Sequence, residues 1–341
     1  MGCIPSATLC AYGASPKNLA DAEIHVEQFA DGDYRVTVIY DGETLEEDVD
    51  YLLRLSEENG IVTVTVTGRG DYSGKQTAEG ESYQLSELSL DRTSLELPVF
   101  GTTVLQADTG GVPAVLEWSS DNETVATVDQ SGCVTAHKYG TATITVSIPG
   151  TELSASCQVQ TLFYDVIDPS AYYYKHVYWA AEAGITKGYN LEYFGPQLEC
   201  TRDQMMTFLW RLAGSPKPKT TKSPFSDVKK GDYCFNAIMW AVDNKITNGY
   251  PDGTFGVGVP CTREQAMTFM WRMAGKPEPK TTKNPFSDVK KSDYFYKAVL
   301  WASENKIANG YADGTYGVGI SCLREYMVTF LSRFNSKYHW K

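Results

Sequence analysis

Phe225-Ser226-Asp227-Val228, Trp240-Ala241, Asn248-Gly249-Tyr250-Pro251-Asp252-Gly253-Thr254-Phe255-Gly256 and Thr262-Arg263-Glu264-Gln265 follow one another within 41 residues and decide the reading of this chain. Phe235, Ile238, Met239, Val242 and Ile246 recur at i, +3, +4, +7 and +11, the apolar face of a helix. Pro251-Asp252-Gly253 then supplies a turn signal. Thr262, with Gln265 three residues on, reads as a capping box that opens a second helix. Ala266, Phe269, Met270 and Met273 form the buried face of that helix, and Gly275 is placed to stop it.

The same pattern recurs with a step of 61 residues: Trp179, Trp240 and Trp301; Gly188, Gly249 and Gly310; Gly195, Gly256 and Gly317; Cys200, Cys261 and Cys322; Arg202, Arg263 and Arg324. Residues 162–216, 217–277 and 278–341 are therefore three copies of one helix-turn-helix unit. The connectors Ser215 to Pro224 and Lys276 to Pro285 carry alternating Pro and Lys, which favours extended, solvated chain. One helix pair buries too little apolar surface to stand alone, so a pseudo-threefold bundle sharing one core is expected from about residue 163.

These repeats resemble S-layer homology domains. The motifs are Phe-x-Asp-Val, Trp-Ala, Gly-Tyr-x-Asp-Gly-Thr-Phe-Gly and Thr-Arg-Glu-Gln, and repeat two carries all of them. The resemblance implies a three-repeat pseudo-trimer that holds secondary cell-wall polysaccharide, attached to peptidoglycan and often bearing pyruvate ketals, in grooves between repeats. It points to Arg202, Arg263 and Arg324 as the basic residues of those grooves, and to Asp165, Asp227 and Asp288 as the aspartates of Phe-x-Asp-Val. A ketal carboxylate is planar and anionic, which suits the fork of an Arg, and a helix N-terminus beside it adds N–H donors. Trp179, Trp240 and Trp301 have two readings, core residues or platforms for sugar faces.

Two repeats depart from the pattern. Repeat one has Gly188-Tyr-Asn-Leu-Glu-Tyr-Phe-Gly195 without Asp-Gly-Thr, and repeat three has Leu323 for the capping Thr and Tyr326 for the Gln. Loss of such a cap costs about 1 kcal/mol. Repeat two, with Arg263, is thus expected to give the best binding element and repeat three the poorest.

The front half reads as strands. Trp118-Ser-Ser-Asp-Asn122, Val125-Ala-Thr-Val-Asp129, Gly132-Cys-Val-Thr-Ala136 and Gly140-Thr-Ala-Thr-Ile-Thr-Val146 resemble the group 2 bacterial immunoglobulin-like domain, a β-sandwich, over 87–161. Cys133 and Cys157 are one candidate pair for a cross-link there, although connectivity cannot be read from sequence. Over 21–86, Tyr34 to Tyr40 and Ile61 to Thr67 alternate apolar and polar residues, with Asp41-Gly42 and Asn59-Gly60 as turns. This part resembles a small β-rich repeat of Gram-positive surface proteins. Arg69-Gly70-Asp71 spells an integrin tripeptide but reads as a tight turn. Residues 1–20 read as a disordered or truncated edge without a signal peptide.

Charge divides the chain as well. Residues 1–161 hold 7 Lys+Arg against 25 Asp+Glu, and 162–341 hold 23 against 17, so the basic half is the one suited to an anionic polymer. The eight cysteines form no CxxC pair, and Cys200, Cys261 and Cys322 read as small buried residues. Asp252-Gly253 and Asp313-Gly314 are turn makers rather than calcium ligands. His25, His137, His176 and His339 are scattered, and no zinc or nucleophile motif accompanies them.

The expectation is thus a multidomain chain, all-β in its N-terminal half and mainly α in its C-terminal half. Its function is read as wall anchoring at the cell surface, with no catalysis, cofactor, metal, nucleic acid or membrane insertion. An adhesin whose β domains hold a host or matrix ligand, and an S-layer array subunit, are the alternatives.

Overall fold

The computed structural model describes residues 16–28, 33–58, 61–81, 87–281 and 283–340. The N-terminal 15 residues and the Asn59-Gly60 turn lie outside the described residues. The chain forms two compact units. One holds the described residues up to Leu95 with Thr102–Thr135 and Thr141–Gln160; the other holds Glu96–Gly101, Ala136–Gly140 and Thr161 onward.

The first unit begins with eight strands: β1 Lys17–Asn18, β2 Glu23–Gln28, β3 Tyr34–Tyr40, β4 Glu43–Thr44, β5 Tyr51–Glu58, β6 Ile61–Gly68, β7 Tyr72–Ser73 and β8 Lys75–Glu81. They form sheets in the orders β2-β3-β4 and β5-β6-β8, and β1 pairs with β7. Val62, Val64 and Val66 of β6 are buried while the intervening threonines are not, as the period of two requires. Asp41 (φ 53°) and Gly42 (φ 79°) both adopt positive φ and join β3 to β4 in a tight hairpin. Arg69-Gly70-Asp71 is a turn in which Arg69 Nη1 donates to the Asp48 carbonyl at 2.7 Å, and Gly70 takes φ 64°.

Nine strands follow: β9 Ser89–Leu90, β10 Ser94–Pro98, β11 Thr102–Val104, β12 Ala107–Asp108, β13 Glu117–Ser120, β14 Ala126–Val128, β15 Cys133–Ala136, β16 Gly140–Ser147 and β17 Ser154–Leu162. Their sheets run β10-β17-β16-β13 and β11-β15-β14, with β9 paired to β12. Gly132 (φ 80°) fits here because a Cβ would meet the Leu105 carbonyl at 2.6 Å and the Trp118 ring at 3.0 Å. Cys133 and Cys157 are not cross-linked; both thiols are free. Alternation explains this: Cys157 falls on a buried position of β17, whereas Cys133 falls on an outward position of β15, beside buried Val134.

The second unit is helical. Its helices are α1 Tyr174–Glu182, α2 Arg202–Leu212, α3 Phe235–Asp243, α4 Arg263–Met273, α5 Tyr296–Glu304 and α6 Arg324–Tyr338, two per repeat. The second helix of each repeat packs on the first helix of the next: α2 on α3, α4 on α5, and α6 back on α1. The ring closes at its axis through the cysteines. Cys261 N–H donates to Cys200 O (2.9 Å), Cys322 N–H to Cys261 O (2.8 Å) and Cys200 N–H to Cys322 O (2.8 Å). All three side chains are fully buried, and burial pushes their thiols up.

Helix ends depart slightly from the periodicity. Helix α3 stops at Asp243, and Lys245 (φ 56°) turns the chain so that Ile246 N–H donates to Ala241 O at 2.8 Å. Ile246 is buried as the apolar residue after a C-terminal cap, not as part of the helix face. The connectors are held at several points. Trp210 Nε1 donates to Pro216 O (2.9 Å), Trp271 Nε1 to Pro277 O (2.8 Å), and the Asp243 carboxylate accepts the Lys219 N–H (2.6 Å).

Candidate functional site

The three aspartates of Phe-x-Asp-Val staple the glycine-rich turns. Asp227 accepts the N–H groups of Phe255 (2.7 Å), Gly256 (2.7 Å) and Val257 (2.9 Å). Asp288 does the same for Tyr316, Gly317 and Val318, and Asp165 for Phe194 and Gly195. Desolvation would raise the carboxyls of Asp227 and Asp288, but the backbone donors outweigh it and hold both below the usual range. Gly249 completes this packing: a Cβ there would stand 2.3 Å from the Phe225 ring.

Each stapled turn receives an Arg from the preceding repeat. Arg202 Nε donates to Phe255 O in repeat two (3.0 Å), Arg263 Nε to Tyr316 O in repeat three (3.1 Å), and Arg324 Nε to Phe194 O in repeat one (2.8 Å). The grooves are thus shared between repeats. The well-formed turn of repeat two belongs with Arg202, not Arg263. The helix N-termini beside these Arg are occupied, since the N–H groups of Arg202, Arg263 and Arg324 donate to Val259, Ile320 and Leu198 carbonyls.

The guanidinium groups are buried against rings. Arg202 lies 4.3 Å from the Tyr250 centroid, Arg263 4.9 Å from Tyr311, and Arg324 4.8 Å from Phe194. Their remaining nitrogens differ. Arg202 Nη1 donates to Gln265 Oε1 (2.9 Å) and Arg263 Nη2 to Asn309 O (2.9 Å), whereas Arg324 Nη2 is buried without a partner. Arg324 is only 3% exposed, and burial depresses its pKa.

Two cavities open on these residues. One of about 340 Å³ is lined by Arg202, Tyr250, Gln265, Arg272 and Tyr294; the other, about 210 Å³, by Arg324, Lys187, Tyr189, Gln204, Arg211 and Tyr233. Sequence reasoning missed most of these lining residues. The 61-residue step contains their signal, because Tyr189, Tyr250 and Tyr311 obey it, as do Arg211, Arg272 and Arg333. It also missed the buried acid after each Arg. Asp203 accepts the Gly258 N–H (2.8 Å) and the Tyr233 hydroxyl, and Glu325 accepts Tyr172 Oη (2.8 Å) and Gln197 Nε2 (2.6 Å).

The tryptophans are not among the residues that line these two cavities. Trp301 and Trp240 are 2% and 7% exposed, inside the shared core, and Trp179 is half-buried against it. Among the described residues no group of three or more His, Cys, Asp or Glu could hold a metal ion. Among the same residues no helix is long and apolar enough to cross a membrane.

Comparison with known families places matches to the S-layer homology domain at residues 163–206, 224–267 and 285–319. The chain carries three S-layer homology repeats. Residues 84–159 match the bacterial Ig-like domain (group 2), so the S-layer homology triplet follows a bacterial Ig-like domain. A Thermoanaerobacter kivui cell surface protein is 33% identical over 98 residues, 28% of this chain and 13% of that protein. A cellulosome-anchoring protein of Acetivibrio thermocellus is 28% identical over 158 residues, 44% of this chain and 35% of its own length. A polysaccharide lyase 8 family protein of Enterococcus faecalis is 35% identical over 79 residues, 23% of this chain and 5% of that protein. The chain thus spans a minor part of each relative. Among solved structures, domains 4 and 5 of the S-layer protein SbsC are similar at 18% identity and a TM-score of 0.21, over 40% of this chain and 92% of that one.

Proposed function

We propose that the S-layer homology triplet anchors a bacterial surface protein non-covalently to the cell wall, by holding anionic secondary cell-wall polysaccharide in the grooves between its repeats. One observation carries this reading: Arg324 Nη2 is a buried, unpartnered donor at a cavity that also presents Gln204, Lys187 and Arg211. A buried charged donor without a partner is costly, and an incoming carboxylate such as a pyruvate ketal relieves that cost. The sugar ring carrying the ketal has Tyr189, 64% exposed, as an apolar face beside the cavity.

Within this reading Arg202 and Arg324 grip the ligand. Asp165, Asp227 and Asp288 shape the turns, and the tryptophans support the core. The Ig-like domain over about 87–161 and the β domain over about 21–86 act as spacers between wall and surface. The chain works as a binder at the cell surface and catalyses nothing.

The test is co-sedimentation of the whole chain with purified cell walls, with polysaccharide intact or stripped by acid. The reading expects pelleting with intact walls and release on stripping. Equal pelleting with both preparations would sink it.

A further inference from the structure

We propose that Tyr326 closes the Arg263 groove, so that the S-layer homology triplet offers two glycan sites, at Arg202 and Arg324, instead of three. This rests on the anchoring reading above. By the 61-residue step, Tyr326 stands where Gln204 and Gln265 stand in the other repeats. In the Arg202 groove that position presents an amide: Gln265 Oε1 accepts from Arg202 Nη1 at 2.9 Å, a side-chain contact that a ligand carboxylate can replace. In the Arg324 groove Gln204 lines an open cavity, and Arg324 Nη2 is free. In the Arg263 groove the same position carries a ring.

That ring is held. Its centroid lies 5.8 Å from the Arg263 guanidinium, and it stacks on Tyr172 (6.2 Å, 23°) and Phe330 (6.4 Å, 18°). Tyr172 is fixed in turn by its hydroxyl bond to Glu325 at 2.8 Å. The guanidinium beneath is held by two bonds, with Nε on Tyr316 O (3.1 Å) and Nη2 on Asn309 O (2.9 Å). Both bonds go to backbone carbonyls, which do not swing aside as a Gln side chain does. Arg263 is therefore tied to the turn of repeat three and faced by an aromatic ring at the position where the other two grooves present an amide.

The experiment is calorimetric titration of the whole chain and of Tyr326→Gln with a pyruvate-ketal methyl glycoside as probe. The proposal expects two sites in the natural chain and three in the variant. Three sites in the natural chain, or two in both chains, overturn the plug and leave the anchoring reading standing. Absence of binding by both chains removes the anchoring reading and the plug with it. The Arg Nε–Hε resonances of the natural chain give a second readout independent of the variant's folding. Those of Arg202 and Arg324 shift as the probe is added and that of Arg263 stays in place; a shift at Arg263 matching theirs contradicts the proposal.

Discussion

Arg324, at the start of the last helix, donates its Nε–H to the carbonyl of Phe194 in the first repeat at 2.8 Å. The contact joins the two ends of the triplet, so the three repeats form a closed ring in which each Arg serves its neighbour's turn. The ring explains why one core runs through all three copies. It also means that each groove is built from residues of two repeats.

Arg324→Met should therefore weaken the whole triplet. Phe194 O would lose its partner inside the protein, a loss of about 1–3 kcal/mol. Urea unfolding followed by far-ultraviolet circular dichroism measures it. A midpoint unchanged within error would mean that the closure contributes nothing.

Asp227 ties down its turn through three N–H groups, and its replacement by Asn removes the charge that holds them. A stability loss of about 3 kcal/mol at neutral pH is expected. The pH dependence has a definite sign. Asp227 and Asp288 are held low when folded, so their stabilisation is full above the unfolded carboxyl pKa of about 3.9 and is lost as pH falls through the folded values. Asp227→Asn should flatten that acid limb. Glu325, raised by burial, works in the opposite direction: its contribution is full below about 4.3 and is lost as pH rises through its folded value. Glu325→Gln should thus cost less at pH 7 than Asp227→Asn, which paired urea titrations would show or refute.

Trp301 separates core from site. It is 2% exposed, and its Nε1 donates to Tyr338 Oη at 3.1 Å. Trp301→Phe should lower stability by about 1–3 kcal/mol and leave glycan affinity within a factor of about two. A tenfold loss of affinity in a chain that remains folded would instead make it part of the binding surface.

Tyr139 predicts where the helical unit must begin. Its ring stacks on Phe163 (4.2 Å, 12°), and its N–H donates to Leu191 O at 2.7 Å, within the turn of repeat one. Burial pushes its hydroxyl up to about 12. A fragment starting at residue 161 lacks this brace and should unfold about 1–3 kcal/mol more easily than one starting at residue 87. Equal midpoints would show the brace to be idle.

The repeat arithmetic made much of this legible. The helix pairs, the turns at Gly249 and Gly256, the capping Thr262 and the buried cysteines follow from spacing and local chemistry alone. The phase of the grooves was not legible. Spacing places Arg263 in repeat two, and only the packing of α4 on α5 brings it to the turn of repeat three. The end of α3 was missed because Lys245 takes the left-handed conformation where glycine is the usual signal; repeat one does carry Gly184 there. Tyr326 was legible as a departure, but its effect falls on Arg263 rather than on its own neighbour Arg324. That assignment is tertiary, since it depends on which guanidinium the ring covers.

The most direct test of the account is to measure affinity for one wall polysaccharide before and after mild removal of its ketal carboxylates. The account predicts a loss of about 10–100-fold, since each charge-assisted bond to Arg contributes about 1.5–3 kcal/mol. The remaining binding should no longer respond to Arg324→Lys. Equal affinity for the two polysaccharides would contradict the claim that the Arg grooves hold an anionic sugar.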